Sequence, residues 1–294
     1  MLPLSSIDLH SHSLYSDGTL SPTELVKRAH ENNVKVLALT DHDITDGIEE
    51  ASGVALELGI KLIAGVEISV TWARQTIHIV GLNVDTGNAE LQAGLAQIRE
   101  QRIVRAKRMS EKLEKAGFQN VFESVTKLAG TEAATRTHFA RFLLGHGHVD
   151  TMQKAFKLWL GKKGKAFVGG DWVTLEEAVG WITRSGGQAV IAHPVRYNMT
   201  RTKMGVLVDE FRQYGGIGIE VSTSSQASHE RKQVVDVANK YGLLCSVGSD
   251  FHSPGNPRVE LGRNLDLPRD AKPIWQDWEE TNFDMPLRAN GGLQ

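Results

Sequence analysis

The chain has 294 residues, of which 40% are hydrophobic and 23% charged, values typical of a folded protein rather than a disordered or low-complexity chain. Its formal net charge of −2 at pH 7 excludes attraction of nucleic acid by the molecule as a whole, so such binding would require a local basic patch. The length favours one large domain, such as a barrel, that carries an elaboration.

Short apolar runs typical of buried β-strands recur along the chain and alternate with helical patterns. Two helix starts, at Ser21 and Thr174, have a Glu three residues later and therefore predict capping boxes. Alternating strands and helices indicate a parallel α/β sheet or barrel whose strands are buried on both faces. The predicted strands are Ile7 to Leu9, Val34 to Leu39, Ile60 to Ile63, Ile77 to Val80, Ala189 to Ala192, Ile217 to Val221 and Leu243 to Val247.

The alternation stops after Val84 and resumes near Gln188, which predicts a helical insertion between the two positions. Helical patterns cover residues 90–116, 121–128, 138–144 and 152–160. We therefore divide the chain into a first barrel part at 1–86, an insertion at 87–170, and a second barrel part with a C-terminal tail at 171–294. In the tail, Trp275 and Trp278 are expected to pack on the barrel.

One stretch of the insertion is strongly basic. Between Met152 and Gly170 there are five lysines and no acidic residue. Such a stretch could hold a single strand of RNA by phosphate attraction and base stacking, although the aromatic residues could equally form a buried helix face. The lysines are Lys154, Lys157, Lys162, Lys163 and Lys165, and the aromatic residues are Phe156, Trp159 and Phe167.

Histidines and acidic residues lie within or directly after the predicted strands. The carboxyl ends of barrel strands converge on one face, so such residues become neighbours in space. Imidazole and carboxylate ligands suit Zn, Mn or Fe. A lone histidine is more often a surface or core residue, but six of the eleven histidines in this pattern are hard to explain by packing. The candidate ligands are His10, His12, His42, Glu67, His78, His193, Asp250 and His252.

With these residues the sequence resembles the PHP superfamily, which is named for its polymerase and histidinol phosphatase members. The resemblance implies an α/β fold, a distorted (β/α)7 barrel with a helical insertion, and it adds Asp17 to the ligands. It also implies three divalent metal ions, with Mn²⁺ favoured and Zn, Fe or Mg as alternatives. The matching motifs are Asp8-Leu9-His10-Ser11-His12, Ser16-Asp17-Gly18, Thr40-Asp41-His42-Asp43, Gly65-Val66-Glu67, Ala192-His193-Pro194 and Gly248-Ser249-Asp250-Phe251-His252.

The resemblance divides the ligands into three sets, two of which share Glu67. Clustered divalent ions generate hydroxide near neutral pH and neutralise phosphate charge, so we expect a metal-activated hydroxide to attack phosphorus. The expected catalytic residues are Asp17, Glu67, Asp250 and His252. The three sets are His10, His12, Glu67 and Asp250; Glu67, His78 and His193; and Asp17, His42 and His252.

Two acidic residues beside His42 are candidates for orienting imidazoles rather than binding metal. Asp41 and Asp43 flank this ligand and could accept hydrogen bonds from ligand imidazoles. For Asp43 a salt bridge at the surface is an equal alternative.

Within the superfamily, the insertion motif Thr135-Arg136-Thr137-His138-Phe139-Ala140-Arg141 resembles the 3′,5′-nucleotide bisphosphate phosphatases. That subgroup includes a 5′-to-3′ exoribonuclease that trims ribosomal RNA. It implies a nucleotide 3′,5′-bisphosphate or 5′-phosphorylated RNA as substrate, with no obligate protein partner. Two alternatives are a phosphatase of histidinol phosphate or another small phosphomonoester, and a non-catalytic PHP module that binds nucleic acid. The complete ligand set argues against the second alternative.

A nucleotide with two phosphates needs a second anion site, and arginine bonds phosphate oxygens bidentately. Arg136 is the first candidate for this site. Arg102 and Arg105 come next, with a solvated helix face as an equal alternative for both. The predicted substrate-binding residues are Asp17, Arg102, Arg105, Arg136, Thr137, His138, Arg196 and His252.

No apolar run approaches the roughly 20 residues that cross a bilayer, and the N-terminus shows no secretory pattern, so we expect a cytoplasmic protein without membrane contact. The single cysteine, Cys245, lies in an apolar run. It excludes an internal disulfide and predicts a buried thiol.

Overall fold

Seven β-strands form one sheet in the order β1 to β7 within residues 6–278, the part of the chain that this computed structural model describes. The sheet is a nearly closed barrel, because the Leu9 N–H donates to the Val247 carbonyl at 2.9 Å. Each strand lies at a predicted position. The strands are β1 (Ile7–Asp8), β2 (Val36–Leu39), β3 (Lys61–Trp72), β4 (Gln75–Leu82), β5 (Gln188–Ile191), β6 (Gly218–Ser222) and β7 (Leu244–Val247).

The strands β3 and β4 depart from the expected parallel arrangement. β4 runs antiparallel to both of its neighbours, and two residues with positive φ, Ala73 and Arg74, connect it to β3 as in a tight hairpin. This direction was not predicted, because no Asn-Gly or Asp-Gly pair marks the turn. Pairing with β4 also extends β3 well beyond Ile63. Glu67 therefore lies inside a strand rather than after one.

Helices cover the outside of the barrel. They are α1 (Pro22–Glu31), α2 (Ile48–Leu58), α7 (Leu175–Arg184), α8 (Arg201–Gln213) and α9 (Ser228–Tyr241). Both predicted capping boxes are present: Ser21 Oγ accepts from the Glu24 N–H at 3.1 Å, and Thr174 forms the same arrangement with Glu177. The buried faces of these helices and the strands form the main hydrophobic core.

The insertion consists of α3 (Ala89–Lys115), α4 (Val121–Ala129), α5 (Arg136–Gly145) and α6 (Met152–Ala155), which continues as a π-helical segment, Phe156–Leu160. The first half of α3 packs on the barrel, where a Cβ on Gly94 would lie 2.5 Å from the Trp181 ring. Its second half carries Met109 and Leu113 into a separate core with α4 and α5. Helix α3 is therefore shared by the barrel and the insertion.

The segment after β7 packs on the barrel as expected. Trp275 and Trp278 lie against the main core, and Trp278 Nε1 donates to Gln188 Oε1 at 2.7 Å. Cys245 is buried, as predicted. The parts of the predicted barrel and tail at residues 1–5 and 279–294 lie outside the described residues. Within 6–278, no helix combines the length and the apolar character needed to span a membrane.

Candidate metal centre

The nine predicted ligands meet at one end of the barrel, around the carboxylate of Glu67. Its Oε1 lies 2.9 Å from both His78 Nδ1 and His193 Nε2, and its Oε2 lies 2.9 Å from His42 Nδ1. His10 and His12 approach the same carboxylate at 3.4 Å. His78 reaches it from near the start of β4 because this strand runs antiparallel.

The remaining ligands extend the cluster on one side of Glu67. Asp250 Oδ1 lies 3.1 Å from His12 Nε2, and His252 Nε2 lies 3.2 Å from Asp17 Oδ1. Arg196, a predicted substrate contact, forms an ion pair with Asp250. The nine residues are therefore joined through contacts between imidazoles and carboxylates.

Three groups of these residues bring ligand atoms within 4.8 Å of one another. Two of the groups contain predicted sets, while the third joins Glu67 and His78 to His42 rather than His193. His10 Nε2, Asp17 Oδ1 and Glu67 Oε2 are buried, and none of their close contacts with the neighbouring imidazoles and carboxylates has the geometry of a hydrogen bond. Unsatisfied nitrogen and oxygen atoms that converge in this way fit divalent cations. The groups are His12, Asp17, His42 and His252; His10, His12, Glu67 and Asp250; and His42, Glu67 and His78.

The pKa shifts divide the imidazoles of the centre into two groups. In three of them burial alone would lower the pKa, but the charges of neighbouring carboxylates outweigh it and raise the pKa; these are His10, His42 and, with a pKa raised to about 9, His252. Burial lowers the pKa of His12 to about 3, and the positive charge of His252 adds to this effect. Burial also lowers the pKa of His78 to about 4. Burial alone would raise the pKa of Glu67, but the charges of His78 and His42 outweigh it and hold this pKa well below its usual range. Neutral imidazole and ionised carboxylate are the forms that bind metal.

Glu220, on β6, supports two of the ligands and was missed by the sequence reasoning. Its Oε1 lies 3.0 Å from His10 Nδ1, and its Oε2 accepts the backbone N–H of His193 at 2.7 Å. The first contact favours a proton on Nδ1 and leaves Nε2 of His10 facing Glu67. The second holds His193 at a φ of 28°, a conformation that is unusual outside glycine. A lone acid in the apolar strand β6 is the signal that could have identified it.

Asp41 contacts the loop after β1 instead of an imidazole. Its carboxylate accepts from the Ser13 N–H at 2.8 Å and from Ser16 Oγ at 2.6 Å. Ser16 Oγ lies 3.4 Å from His12 Nδ1. Asp41 therefore acts on an imidazole only through Ser16, and its larger effect is to fix the loop that carries Asp17.

Asp43 joins the barrel to α3. It is fully buried, so the alternative of a surface salt bridge was wrong. Arg102 Nε donates to Asp43 Oδ2 at 2.6 Å, and the Ser69 N–H donates to Oδ1 at 2.7 Å. Arg99 Nη1 donates to the Asp43 carbonyl at 3.0 Å. One acid thus anchors two arginines of the insertion beside the centre.

Arg102, Arg105 and Arg136 form an arginine cluster, in which Arg102 and Arg105 are buried and Arg136 is partly buried. Arg102 and Arg105 are each 5% exposed, so the alternative of a solvated helix face was wrong. The Arg105 guanidinium lies 4.6 Å from the Trp172 ring centroid, and that of Arg136 lies 5.1 Å from the Phe167 centroid. Nε of Arg105 and Nε of Arg136 form no hydrogen bond with any described residue. Burial, and then the charge of Arg102, lower the pKa of Arg136 to about 10. An anion bound in the cluster would relieve this excess of positive charge.

Helix α5 meets the metal centre at Asp17. Thr135 Oγ1 donates to Asp17 Oδ2 at 2.9 Å, and Arg141 Nη2 donates to the Asp17 carbonyl at 2.7 Å. These two residues were missed, although they lie in the insertion motif. Of the predicted contacts, Thr137 donates its backbone N–H to Thr135 Oγ1, and His138 Nδ1 accepts from the Thr135 N–H. His138 and Thr137 therefore stabilise the start of α5.

A cavity of about 290 Å³ lies between the metal centre and the insertion. His42 lines it on the side of the centre, and Arg99 and Arg102 line it from α3. The loop residues Leu14 and Tyr15 add apolar and aromatic surface. The volume is near the lower end of the range for small-molecule sites, and the mixture of apolar and cationic walls suits a nucleotide.

Comparison with known proteins identifies the family of the barrel. Residues 8–190 match the family model of the PHP domain, and this segment contains the ligands from His10 to His78. The chain belongs to the PHP domain family. The other three candidate ligands of this PHP protein lie beyond the matched segment. They are His193, Asp250 and His252, which follow β5 and β7.

Relatives of this PHP protein match nearly its whole length. A 3′,5′-nucleoside bisphosphate phosphatase from Chromobacterium violaceum is 44% identical over 94% of this chain and 97% of its own. A 5′-3′ exoribonuclease from Haemophilus influenzae is 45% identical over 92% of this chain and 97% of its own. A solved structure from C. violaceum, described as an amidohydrolase with bound sulfate and no metal, has a TM-score of 0.89 at 44% identity, covering 94% and 96% of the two chains. The predicted family, subgroup and fold class are confirmed.

Because Glu220 contacts both His10 and His193, we expect the variant Glu220→Gln to bind metal more weakly. Glutamine keeps one acceptor oxygen and replaces the other with a donor, so it can serve only one of the two contacts. We expect the affinity for Mn²⁺ to fall about 10- to 100-fold. Calorimetric titration of chelator-stripped protein measures this, and circular dichroism checks the fold. Glu260→Gln, in a residue that pairs with Arg28 instead, is the matched control. Unchanged affinity in Glu220→Gln would contradict the assigned role.

Proposed function

We propose that this PHP protein hydrolyses nucleotide 3′,5′-bisphosphates and removes nucleotides from the 5′ ends of RNA, in the cytoplasm and during maturation of ribosomal RNA. The observation that carries the proposal is that the arginine cluster lies directly beside the metal centre. The ion pair between Arg102 and Asp43 connects the two. One site can hold the phosphate that reacts, and the other can hold a second phosphate. The names of the two relatives support the same substrates.

The metal centre is proposed to hold three divalent ions, with Mn²⁺ favoured over Zn, Fe or Mg. The mixture of imidazole and carboxylate donors without thiolate supports this choice of metals. Bound divalent ions supply an activated water and neutralise charge on the phosphate. Glu67 is proposed to be a ligand that two of the three metal ions share. The proposed catalytic residues are Asp17, Glu67, Asp250 and His252.

The residues around the centre have separate proposed tasks. Glu220 and Asp41 hold the imidazoles and the loop after β1, so the centre needs little reorganisation when substrate enters. The cavity beside His42 is proposed to hold the nucleoside. Arg105 and Arg136 are proposed to bind the second phosphate, because each has a buried Nε that lacks a partner among the described residues. The other proposed substrate contacts are Asp17, Arg102, Thr137, His138, Arg196 and His252.

The sulfate in the C. violaceum structure supports an anion site in that relative. Sulfate is a tetrahedral dianion of nearly the same shape as phosphate. Because the two chains are 44% identical over most of their length, we propose that this chain also binds such an anion beside its ligands. In this view the insertion, residues 87–170, selects the substrate and the barrel parts at 1–86 and 171–294 supply the hydrolytic centre.

A side-by-side assay tests the proposal. Metal-loaded protein is expected to hydrolyse adenosine 3′,5′-bisphosphate and a 5′-phosphorylated oligoribonucleotide faster than histidinol phosphate. Asp250→Asn and His193→Ala should abolish turnover while leaving the fold intact, since each removes one ligand of a cluster. Turnover of histidinol phosphate alone would overturn the nucleotide assignment. Full activity in both variants would show that the metal centre is elsewhere.

The variant Arg136→Gln tests whether Arg136 binds the second phosphate rather than the phosphate that is hydrolysed. Loss of a charged hydrogen bond to phosphate costs roughly 1.5–3 kcal/mol, so we expect kcat/KM for the bisphosphate to fall about 10- to 100-fold. The kcat/KM for adenosine monophosphates, which lack the second phosphate, should change much less. Arg212→Gln, at an exposed position of α8, is the control. An equal loss on bisphosphate and monophosphates would contradict the proposed site.

A further inference from the structure

The basic stretch of the insertion is exposed, whereas its aromatic residues are not free to stack on bases. Phe156 and Trp159 pack against the core of the insertion, and the Trp159 ring meets Phe118 edge-on at 4.9 Å. These two rings are partly buried against the core of the insertion, which favours the alternative of a helix face that packs on a core. What remains at the surface is the charge of the lysines.

Four of these lysines, Lys157, Lys162, Lys163 and Lys165, are exposed, and we call them the lysine surface. The structure pairs none of the four with a carboxylate in residues 6–278, whereas Lys154 pairs with Asp150. Lys165 Nζ lies 5.2 Å from the Trp159 ring centroid, so this segment carries four exposed positive charges without a carboxylate partner, although the net charge of the chain is −2. Such a patch attracts polyanions locally, although the molecule as a whole does not.

The chain that leaves the lysine surface passes directly along the arginine cluster. The Val168 carbonyl accepts from Arg136 Nη2 at 3.1 Å, and Phe167 lies under the same guanidinium. Farther on, the Trp172 ring lies beside Arg105. Lys165 is three residues from Val168, so their Cα atoms are at most about 11 Å apart. The segment that carries the exposed lysines therefore leads directly to the arginine cluster.

We propose that the lysine surface binds the backbone of a single RNA strand whose 5′ end occupies the metal centre. The inference rests on the proposed function and adds the path of the RNA. Because the aromatic rings are packed, contact is to phosphates rather than to bases, which makes binding independent of sequence. A mononucleotide does not reach beyond the arginine cluster, so the lysine surface distinguishes RNA from a nucleotide bisphosphate.

The triple variant Lys162→Gln, Lys163→Gln and Lys165→Gln tests this path. Each phosphate contact on a single strand contributes about 0.7 to the slope of log affinity against log salt. We therefore expect the slope for a 5′-phosphorylated oligoribonucleotide, measured by fluorescence anisotropy, to become shallower by about 2. Affinity at low salt should fall at least about tenfold. The kcat/KM for adenosine 3′,5′-bisphosphate should stay within about twofold of the wild-type value.

A matched triple variant, Lys27→Gln, Lys232→Gln and Lys272→Gln, removes the same charge from exposed positions of the barrel half. It should leave the slope unchanged. An unchanged slope in the first variant, or an equal change in both, would overturn the proposed path. If wild-type protein hydrolyses both the bisphosphate and the RNA while the first variant keeps the wild-type slope, this inference alone is overturned. Wild-type protein that is inactive on every nucleotide would overturn the proposed function.

Discussion

The structure depends on one buried carboxylate, that of Glu67, which five imidazoles approach within 3.4 Å. Burial of an ionised carboxylate is costly unless positive charge or metal compensates it. The barrel concentrates that compensation, because strand ends bring ligands from distant parts of the sequence to one place. The hairpin of β3 and β4 is required as well, since only an antiparallel β4 places His78 beside Glu67. The direction of β4 therefore determines which imidazoles surround the Glu67 carboxylate.

The insertion is connected to this centre rather than attached to a remote part of the barrel. Arg102 pairs with Asp43, which follows the ligand His42, and Thr135 donates to the ligand Asp17. Arg102 is therefore positioned by a residue adjacent in sequence to a candidate metal ligand. A shift of α3 or α5 would move the arginine cluster and the ligands together. This arrangement gives a physical reason why one insertion can change the substrate of a PHP barrel while the hydrolytic centre is retained.

The sequence allowed the strand positions and the capping boxes to be predicted, because each has a local signal, and the nine residues predicted as ligands do lie together at one end of the barrel. Hydrophobic runs mark the strands, and His and Asp pairs follow them. The direction of β4 could not be predicted, since Ala73 and Arg74 are not typical of a tight hairpin. Glu220 was also missed, because a single acid in an apolar strand gains its meaning only from His10, more than two hundred residues away. Non-local contacts of this kind carry no signal in the adjacent sequence.

The metal content of Glu67→Gln shows whether Glu67 is a ligand shared between metal ions. Protein purified without chelator and loaded with Mn²⁺ would be analysed by inductively coupled plasma mass spectrometry, with circular dichroism as the check on folding. The account predicts about three ions per wild-type chain. It predicts about one ion in Glu67→Gln, held by Asp17, His42 and His252, because the other two sets lose their common carboxylate. A folded Glu67→Gln protein that keeps the wild-type metal content would contradict the account.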